Sequence, residues 1–337
     1  MTPDASGFEL EPQVDLLDAW LRARGWLDAG ERVTAAGPAG AGNMNRTLRV
    51  ATPARTFVLK QSRPWVVKYP DIPAPVDRIH TELRFYDGAH RDPALSSHMP
   101  RVLAFDRADR VAMLEDLGEA ADLASLYAGG ALEPGELETL CALARRIHAL
   151  ALDDAERASL ANRAMRELNH AHLFAVPLDA GNGLDLDAIT PGLRDEARAL
   201  QRDDVFRARV AALGDLYLHA AGPSLLHGDY YPGSILRTAR GLCVIDPEFA
   251  FVGPVELDLG VLVAHLVFAG EAPAIAERVE ALYGEKLDGA LLRGFAGVEL
   301  MRRLIGVAQL PLDAGRAGID AKRAWLALAR GWVAKES

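Results

Sequence analysis

Three acidic residues fall in two neighbouring segments at a spacing suited to phosphoryl transfer. Asp229 lies in Leu225-Leu-His-Gly-Asp-Tyr-Tyr-Pro-Gly-Ser-Ile-Leu236, and Asp246 and Glu248 close the run Leu242-Cys-Val-Ile-Asp-Pro-Glu248. Residues 234–237 and 242–246 read as two short strands joined by Thr-Ala-Arg-Gly, a hairpin signal. Folding that hairpin brings Asp229 and the Asp246/Glu248 pair to one end of the ribbon. Transfer of a phosphoryl group from ATP needs one carboxylate to orient and deprotonate a hydroxyl, and others to hold Mg²⁺ against the phosphates. Asp229 is the candidate base. Asp246 and Glu248 are candidate metal ligands, and Ser234 stands where a polar oxygen could support the ion or its water. The competing reading is a surface hairpin with solvated acids.

Other residues extend the pattern. Lys60 ends the apolar stretch Thr56-Phe-Val-Leu-Lys60, and Glu82 falls on the next helix. Paired, they would aim an ammonium at the α- and β-phosphates of ATP. Lys occurs only at positions 60, 68, 286, 322 and 335, so a strand-end Lys stands out. Gly37, Gly40 and Gly42 would let backbone N–H groups approach phosphates, although such turns are common. The run Met113-Leu-Glu115-Asp-Leu117 lies where a hinge between two lobes is expected, with backbone groups to meet adenine. His227 reads as a brace for the loop. Asp258 reads as a helix N-cap or a second brace. Arg302 and Arg303 sit on a helix otherwise rich in apolar residues. Either they are solvated or ion-paired, or they bear on the phosphoryl group or on sugar hydroxyls.

These residues must be carried by two kinds of architecture. Residues 11–27 read as an amphipathic helix with Val14, Leu17, Trp20 and Leu21 on one face. Strands follow at 47–50 and 56–60, then a segment studded with Pro64, Pro70, Pro73 and Pro75 that is expected to be irregular. Asp77 to Gly88 reads as a helix, and 102–106 and 110–114 as strands. Beyond Gly118 the periodicity turns helical: 134–152, 157–173, 193–219, 257–269, 273–285, 288–309 and 319–333. The 234–246 hairpin is the sole strand signal there. The expectation is an α+β chain with a small sheet-rich N-lobe at 1–118 and a larger, mostly helical C-lobe at 119–337.

Composition bounds the partners. The 337 residues are 50% hydrophobic and 25% charged, with a net charge of −10, which argues against nucleic acid or anionic membrane as partners. No apolar run reaches the ~18 residues of a membrane span, and the N-terminus lacks a secretory pattern. A cytoplasmic protein is expected. Cys141 and Cys243 sit in apolar periodic segments and read as core residues.

Taken together, these segments resemble the aminoglycoside phosphotransferase and choline kinase group, and within it the 5-methylthioribose kinases. The likeness rests on Gly42-Asn43-Met-Asn45 with Leu48-Arg-Val50, Val58-Leu-Lys-Gln61, Asp77-Arg78 ahead of Glu82, His227-Gly-Asp229 with Gly233-Ser-Ile235, and Val244-Ile-Asp-Pro-Glu-Phe-Ala-Phe251. It implies a bilobal protein-kinase-like fold, an ATP site using Gly40, Gly42, Asn43, Lys60, Glu82, Glu115 and Leu117, and Mg²⁺ on Asp246, Glu248 and Ser234. It implies phosphorylation of the anomeric hydroxyl of a thioether pentose in methionine salvage by a homodimer, with Arg302 and Arg303 on the sugar. The chain departs from the pattern in having Tyr230 and Tyr231 where the family reads Leu-His, so Tyr231 becomes a candidate substrate contact. A Trp near a Pro usually covers the substrate; here Ile72 precedes Pro73 and Trp65 is the displaced candidate. An aminoglycoside or amino-alcohol kinase, and a nucleotide-binding pseudokinase, are the alternatives.

Overall fold

The computed structural model describes residues 7–40, 44–189, 191–220, 222–310, 312 and 318–334. The chain divides into two compact units, 1–120 with 238–243, and 121–237 with 244–337.

The first unit begins with helix α1 (Val14–Ala23), which buries Leu17, Trp20 and Leu21 as its spacing requires. Strands β1 (Ala35–Pro38), β2 (Arg46–Ala51) and β3 (Thr56–Gln61) follow. A two-stranded ribbon, β4 (Trp65–Val66) with β5 (Tyr69–Pro73), leads to helix α2 (Arg78–Ala89) and the short α3 (Pro93–Ser96). Strands β6 (Val102–Asp106) and β7 (Val111–Glu115) complete an antiparallel sheet of order β1-β2-β3-β7-β6. The ribbon corrects the expectation of irregular structure at 64–75. Proline is excluded from central strands, where its missing N–H breaks a ladder, but an isolated two-stranded ribbon leaves edges where it fits.

Alternation along β3 decides what this sheet presents. Phe57 and Leu59 join Leu48, Val50, Val111 and Met113 in a core with Leu17, Trp20 and Leu21 of α1. Gln61 points the same way: its amide accepts from Leu10 N at 2.9 Å and donates to Phe8 O and Asp109 O at 2.8 Å each. Lys60 is therefore left on the opposite face.

The second unit opens with β8 (Ala121–Asp122) and helices α4 (Glu136–His148), α5 (Asp154–Ser159), α6 (Arg163–His170), α7 (Leu186–Ile189), α8 (Arg194–Arg202) and α9 (Asp204–His219). Then come β9 (Ser224–Leu226), β10 (Ile235–Thr238), β11 (Gly241–Val244) and β12 (Phe251–Gly253). Helices α10 (Glu256–Phe268), α11 (Ile275–Tyr283), α12 (Gly289–Ile305) and α13 (Ile319–Ala334) close the unit. The hairpin forms, but its second strand ends at Val244, short of Asp246. It is also not alone in this half, since β8 pairs with β10 and β9 with β12. Strands of two or three residues carry too little alternation to be read from sequence. Helices α10 and α12 are buried around almost their whole circumference and pack together, as does α12 with α13. Cys141 and Cys243 are buried and unbridged.

One buried carboxylate in the first unit is a stability determinant. Glu31 accepts hydrogen bonds from Arg55 Nε (2.9 Å), Thr52 Oγ1 (2.8 Å) and Asp28 N (2.8 Å). The bond from Arg55 is the largest influence, and the Glu31 carboxyl titrates at about 2. A depressed folded-state pKa stabilises the protein above the ordinary carboxylate value, and that stabilisation is lost as the pH falls towards 2. Replacing Glu31 with Gln should cost about 2 kcal/mol at pH 7. In urea titrations the gap to the parent should shrink by more than half between pH 6 and pH 3; a gap independent of pH would contradict the assignment.

Candidate active site

The loop carrying Asp229 follows β9 and is fixed through its backbone. Asp258, in the first turn of α10, accepts from His227 N at 2.7 Å and Gly228 N at 2.9 Å. Of the two expected roles it takes the brace. Burial works against its ionisation, but the hydrogen bond and charge of His148 and the presence of His227 outweigh this and hold it below the usual range. His148 Nε2 lies 3.2 Å from Asp258 Oδ2, and its Nδ1 meets the Tyr283 hydroxyl at 3.0 Å. His227 braces the other side: Nε2 donates to Ile245 O at 2.9 Å while Nδ1 accepts from Asp229 N at 3.3 Å, one tautomer serving both bonds. Tyr230 is fully buried and donates to Leu140 O at 2.9 Å, so it anchors the loop from below.

The same contacts bring Asp229 beside the downstream acids. His227 binds the carbonyl next to Asp246, and a Cβ on Gly228 would lie 2.1 Å from Phe249 O. Residues 247–249 form a single 3₁₀ turn preceded by Asp246 at φ 60°, ψ 45°. A non-glycine residue holds this left-handed conformation at some cost, with Asp among the residues that tolerate it best. Ile245 N donates to Ser234 O at 2.9 Å, which ties the hairpin's other end to the turn. Ser234 and Glu248 are buried. Among the described residues no three His, Cys, Asp or Glu side chains are arranged to hold a metal. The donor set on offer is Asp246, Glu248 and the Ser234 hydroxyl, hard oxygens suited to Mg²⁺ when a ligand's own oxygens complete the shell.

Arg302 and Arg303 are buried rather than solvated. Their Nε atoms donate to Glu299 at 2.5 and 2.8 Å, and their Nη2 atoms lie 3.5 and 3.7 Å from Asp229 Oδ1. Burial pushes the Asp229 carboxyl up, with Arg303 and Arg302 pulling it back; the net shift is upward. Tyr231 is linked to both motifs: its N–H donates to Asp229 O at 3.0 Å and its carbonyl accepts from Ser234 N at 2.9 Å. Its ring stacks 5.0 Å from the Arg303 guanidinium.

In the first unit Lys60 Nζ and Glu82 Oε2 lie 2.6 Å apart, both buried. Gly40 is exposed at the end of β1, while Gly42 and Asn43 lie outside the described residues. The Glu115 side chain is taken up by Arg101 N (3.1 Å) and Arg240 (3.3 Å), which leaves backbone rather than carboxylate for any ligand there. Leu117 is half-buried after β7. Trp65 pairs across the ribbon with Pro73, so Trp and Pro, separated in sequence, stand side by side in the fold.

Three contributors were not read from sequence. Arg78, fully buried, donates to Met44 O (2.7 Å), Asn45 Oδ1 (2.9 Å), Arg63 O (2.7 Å) and Pro75 O (2.8 Å), and so fixes the segment after the glycines to the helix bearing Glu82. Asn162 donates to Glu248 O (2.9 Å) and Ala250 O (3.0 Å), locking the acidic turn. Glu299 organises the arginines, and its i, i+3, i+4 spacing to them was a usable signal.

Gly228 is the tightest point. Its φ of +83° and the Phe249 carbonyl at 2.1 Å from any added Cβ leave Ala no accommodation without moving the loop. Gly228→Ala should lower stability by roughly 2–4 kcal/mol, read from urea unfolding midpoints. An unchanged midpoint would show that the loop is not held against residue 249.

Comparison with known proteins agrees with this construction. Residues 36–295 match the APH model, described as the phosphotransferase enzyme family. The methylthioribose kinase of Exiguobacterium sibiricum is 29% identical over 342 residues, covering 86% of this chain and 84% of that protein. Among solved structures, the AMP-bound spectinomycin phosphotransferase APH(9)-Ia superposes with a TM-score of 0.59 at 14% identity, covering 97% of this chain and 100% of that one. Choline kinase LicA from Streptococcus pneumoniae gives 0.53 at 12% identity, covering 94% and 98%. At such identities the structural likeness is one of fold, the protein-kinase-like α+β arrangement of an antiparallel sheet followed by helices. The chain belongs to the phosphotransferase enzyme family and is a kinase that phosphorylates a hydroxyl.

Proposed function

We propose that the chain transfers the γ-phosphoryl group of Mg-ATP to a hydroxyl of a neutral sugar, with 5-methylthioribose or a related pentose as acceptor. One observation carries the reading: the loop bearing Asp229 is held against the Asp246–Glu248 turn through His227 and Gly228, and the Asp229 carboxylate faces two buried guanidiniums. Asp229 orients the acceptor hydroxyl and takes its proton. Its raised pKa makes it a better base than a solvated aspartate. Asp246, Glu248 and Ser234 would hold Mg²⁺, which when bound neutralises charge on the phosphates. Lys60, oriented by Glu82, bears on the ATP phosphates together with backbone N–H groups of the 37–43 segment, and residues 115–117 on adenine.

The acceptor assignment follows from charge and from relatedness. Arg302 and Arg303 together carry +2, Glu299 offsets one, and the remaining positive charge faces Asp229. Guanidinium N–H groups in a fork suit vicinal hydroxyls, whereas a cationic amino-alcohol or aminoglycoside would have to compete with both guanidiniums for Asp229. The similarity to a methylthioribose kinase along most of both chains points the same way.

An ADP-release screen over 5-methylthioribose, ribose, 5-deoxyribose, choline and aminoglycosides tests this directly. Turnover should be fastest with the thioether pentose; preference for choline or an aminoglycoside would replace the acceptor, and none with any of them would favour a nucleotide-binding module. Asp229→Asn should lower kcat by about 10²–10⁴ and leave ATP affinity nearly intact. Because burial raises the Asp229 pKa, the rate should fall as the pH drops, with the acid limb lying above the ~3.9 of a free aspartate. A flat profile down to that value would remove Asp229 as the base.

A further inference from the structure

We propose that Tyr127, His265 and Glu299 form a positioning relay that sets the two arginines against Asp229, a role resting on the reading of Asp229 as the base. The connections are continuous. Tyr127 Oη lies 2.5 Å from His265 Nδ1, and His265 Nε2 lies 2.8 Å from Glu299 Oε1. Glu299 then receives Arg302 Nε on Oε2 and Arg303 Nε on Oε1, and both guanidiniums reach Asp229 Oδ1. The members come from three separate elements: Tyr127 precedes α4, His265 is on α10, and Glu299 and both arginines are on α12.

The protonation states follow from the donor inventory. Glu299 sits between two guanidiniums and is held ionised: burial opposes this, but Arg302 and Arg303 overcome it and keep the carboxyl well below its usual range. An ionised carboxylate only accepts, so His265 Nε2 carries the proton. Burial also keeps His265 neutral, with a pKa of about 4. Its Nδ1 is then an acceptor, and the Tyr127 hydroxyl, kept protonated by burial, donates to it. Every bond in the chain therefore has one assigned direction, from Tyr127 through His265 to Glu299, and from both arginines to Glu299.

The consequence is geometric. Each guanidinium is gripped through Nε and turns its Nη2 group to Asp229. The Oε1 atom that binds Arg303 is the one His265 binds, so a change at Tyr127 or His265 is transmitted first to Arg303. That guanidinium is sandwiched further, since Tyr231 lies 5.0 Å over it and the Tyr231 ring lies 5.1 Å from the His265 ring. Tyr231 thus stands on the relay from the other side, between His265 and the loop that carries Asp229. None of Tyr127, His265 and Glu299 touches Asp229 itself; they act through the arginines.

Four variants and two readouts test the relay. With 5-methylthioribose as acceptor, Glu299→Gln, which places an amide donor among donors, should lower kcat or raise the acceptor KM by about 10- to 100-fold with the ATP KM unchanged. Tyr127→Phe removes one hydroxyl and no bulk; it should retain the fold and lose about 2- to 10-fold, and Glu299→Asp should recover part of the Glu299→Gln loss. In the Arg303→Ala background Tyr127→Phe should have no further effect. Arginine Nε–H resonances of Arg302 and Arg303, slow to exchange in the parent, should shift in Tyr127→Phe and lose protection in Glu299→Gln whatever the acceptor. Unchanged resonances, equal rises in both KM values, or additivity with Arg303→Ala would each overturn the relay. Turnover surviving in Asp229→Asn would instead overturn the assignment of the base.

Discussion

A carboxylate, two guanidiniums and a second carboxylate share one buried patch of the second unit, and their mutual neutralisation is what the site depends on. Burying any one of these charges alone would cost several kcal/mol. Glu299 is 1% exposed, Arg302 and Arg303 are 8% exposed, and Asp229, at 22%, is the member open to a ligand. The sum of the four charges is zero, so the patch is tolerable inside a helix core, yet it becomes unbalanced as soon as one member changes its proton or its position. That would suit Asp229 to the proposed role of accepting a proton late in the reaction. Asp229 is stabilised as an anion by its neighbours and destabilised by its burial, and its affinity for a proton lies between those pulls.

The same logic places the loop. Asp258 on α10 and Glu299 on α12 are both buried anions on helices whose buried side chains are mostly apolar. Asp258 holds the backbone of the loop bearing Asp229 through two amides, and Glu299 holds the side chains that face it. Because α10 and α12 pack together, the two anchor points are fixed relative to one another by the hydrophobic core. Backbone and partner charges of Asp229 are thus referred to one rigid pair of helices. His227 and Asn162 perform the corresponding task for the acidic turn, each through a carbonyl of residues 245–250. Carbonyl contacts constrain position without adding charge, which leaves the electrostatics of the turn to Asp246 and Glu248.

Much of this was legible from residue order because it is local. The 3.6-residue periodicity located α1, α2, α10, α11, α12 and α13, and the hairpin between Asp229 and Asp246 was visible as two apolar runs around a polar turn. His227-Gly-Asp229 and Asp246-Pro-Glu248 announced themselves by type and spacing. What escaped was set by contacts distant in sequence. Strands β9 and β12 have three residues each and exist because they pair with one another under the loop. The proline-rich 64–75 segment forms a ribbon only because its edges need no ladder partners. Asn162 looked ordinary and Arg78 stood out only as part of a motif, since their importance lies in which carbonyls the fold delivers to them. Trp65 and Pro73 are eight residues apart in the chain but opposite each other in the ribbon, a register that sequence spacing does not reveal. His265 and Tyr127 carry no signal in residue order, since their link to the arginines runs through Glu299, which is distant from both in sequence.

The arginine pair also bears on which hydroxyl compounds the proposed reaction could accept. Each guanidinium offers five N–H donors, and Glu299 takes only the Nε donor of each. Arg303 Nη1 spends a further one on Ala308 O at 3.4 Å, so most of the remaining donors belong to the edge nearest Asp229. An acceptor that brings several hydroxyl oxygens can satisfy those donors while presenting one hydroxyl to the carboxylate. An ammonium group is donor-only, so wherever an acceptor places one it satisfies none of those donors and must compete with both guanidiniums for Asp229. Selectivity on this argument comes from hydrogen bonding to the arginine donors as much as from charge. It would therefore survive at ionic strengths that screen a purely electrostatic preference, because hydrogen-bond complementarity in a buried site is little affected by salt.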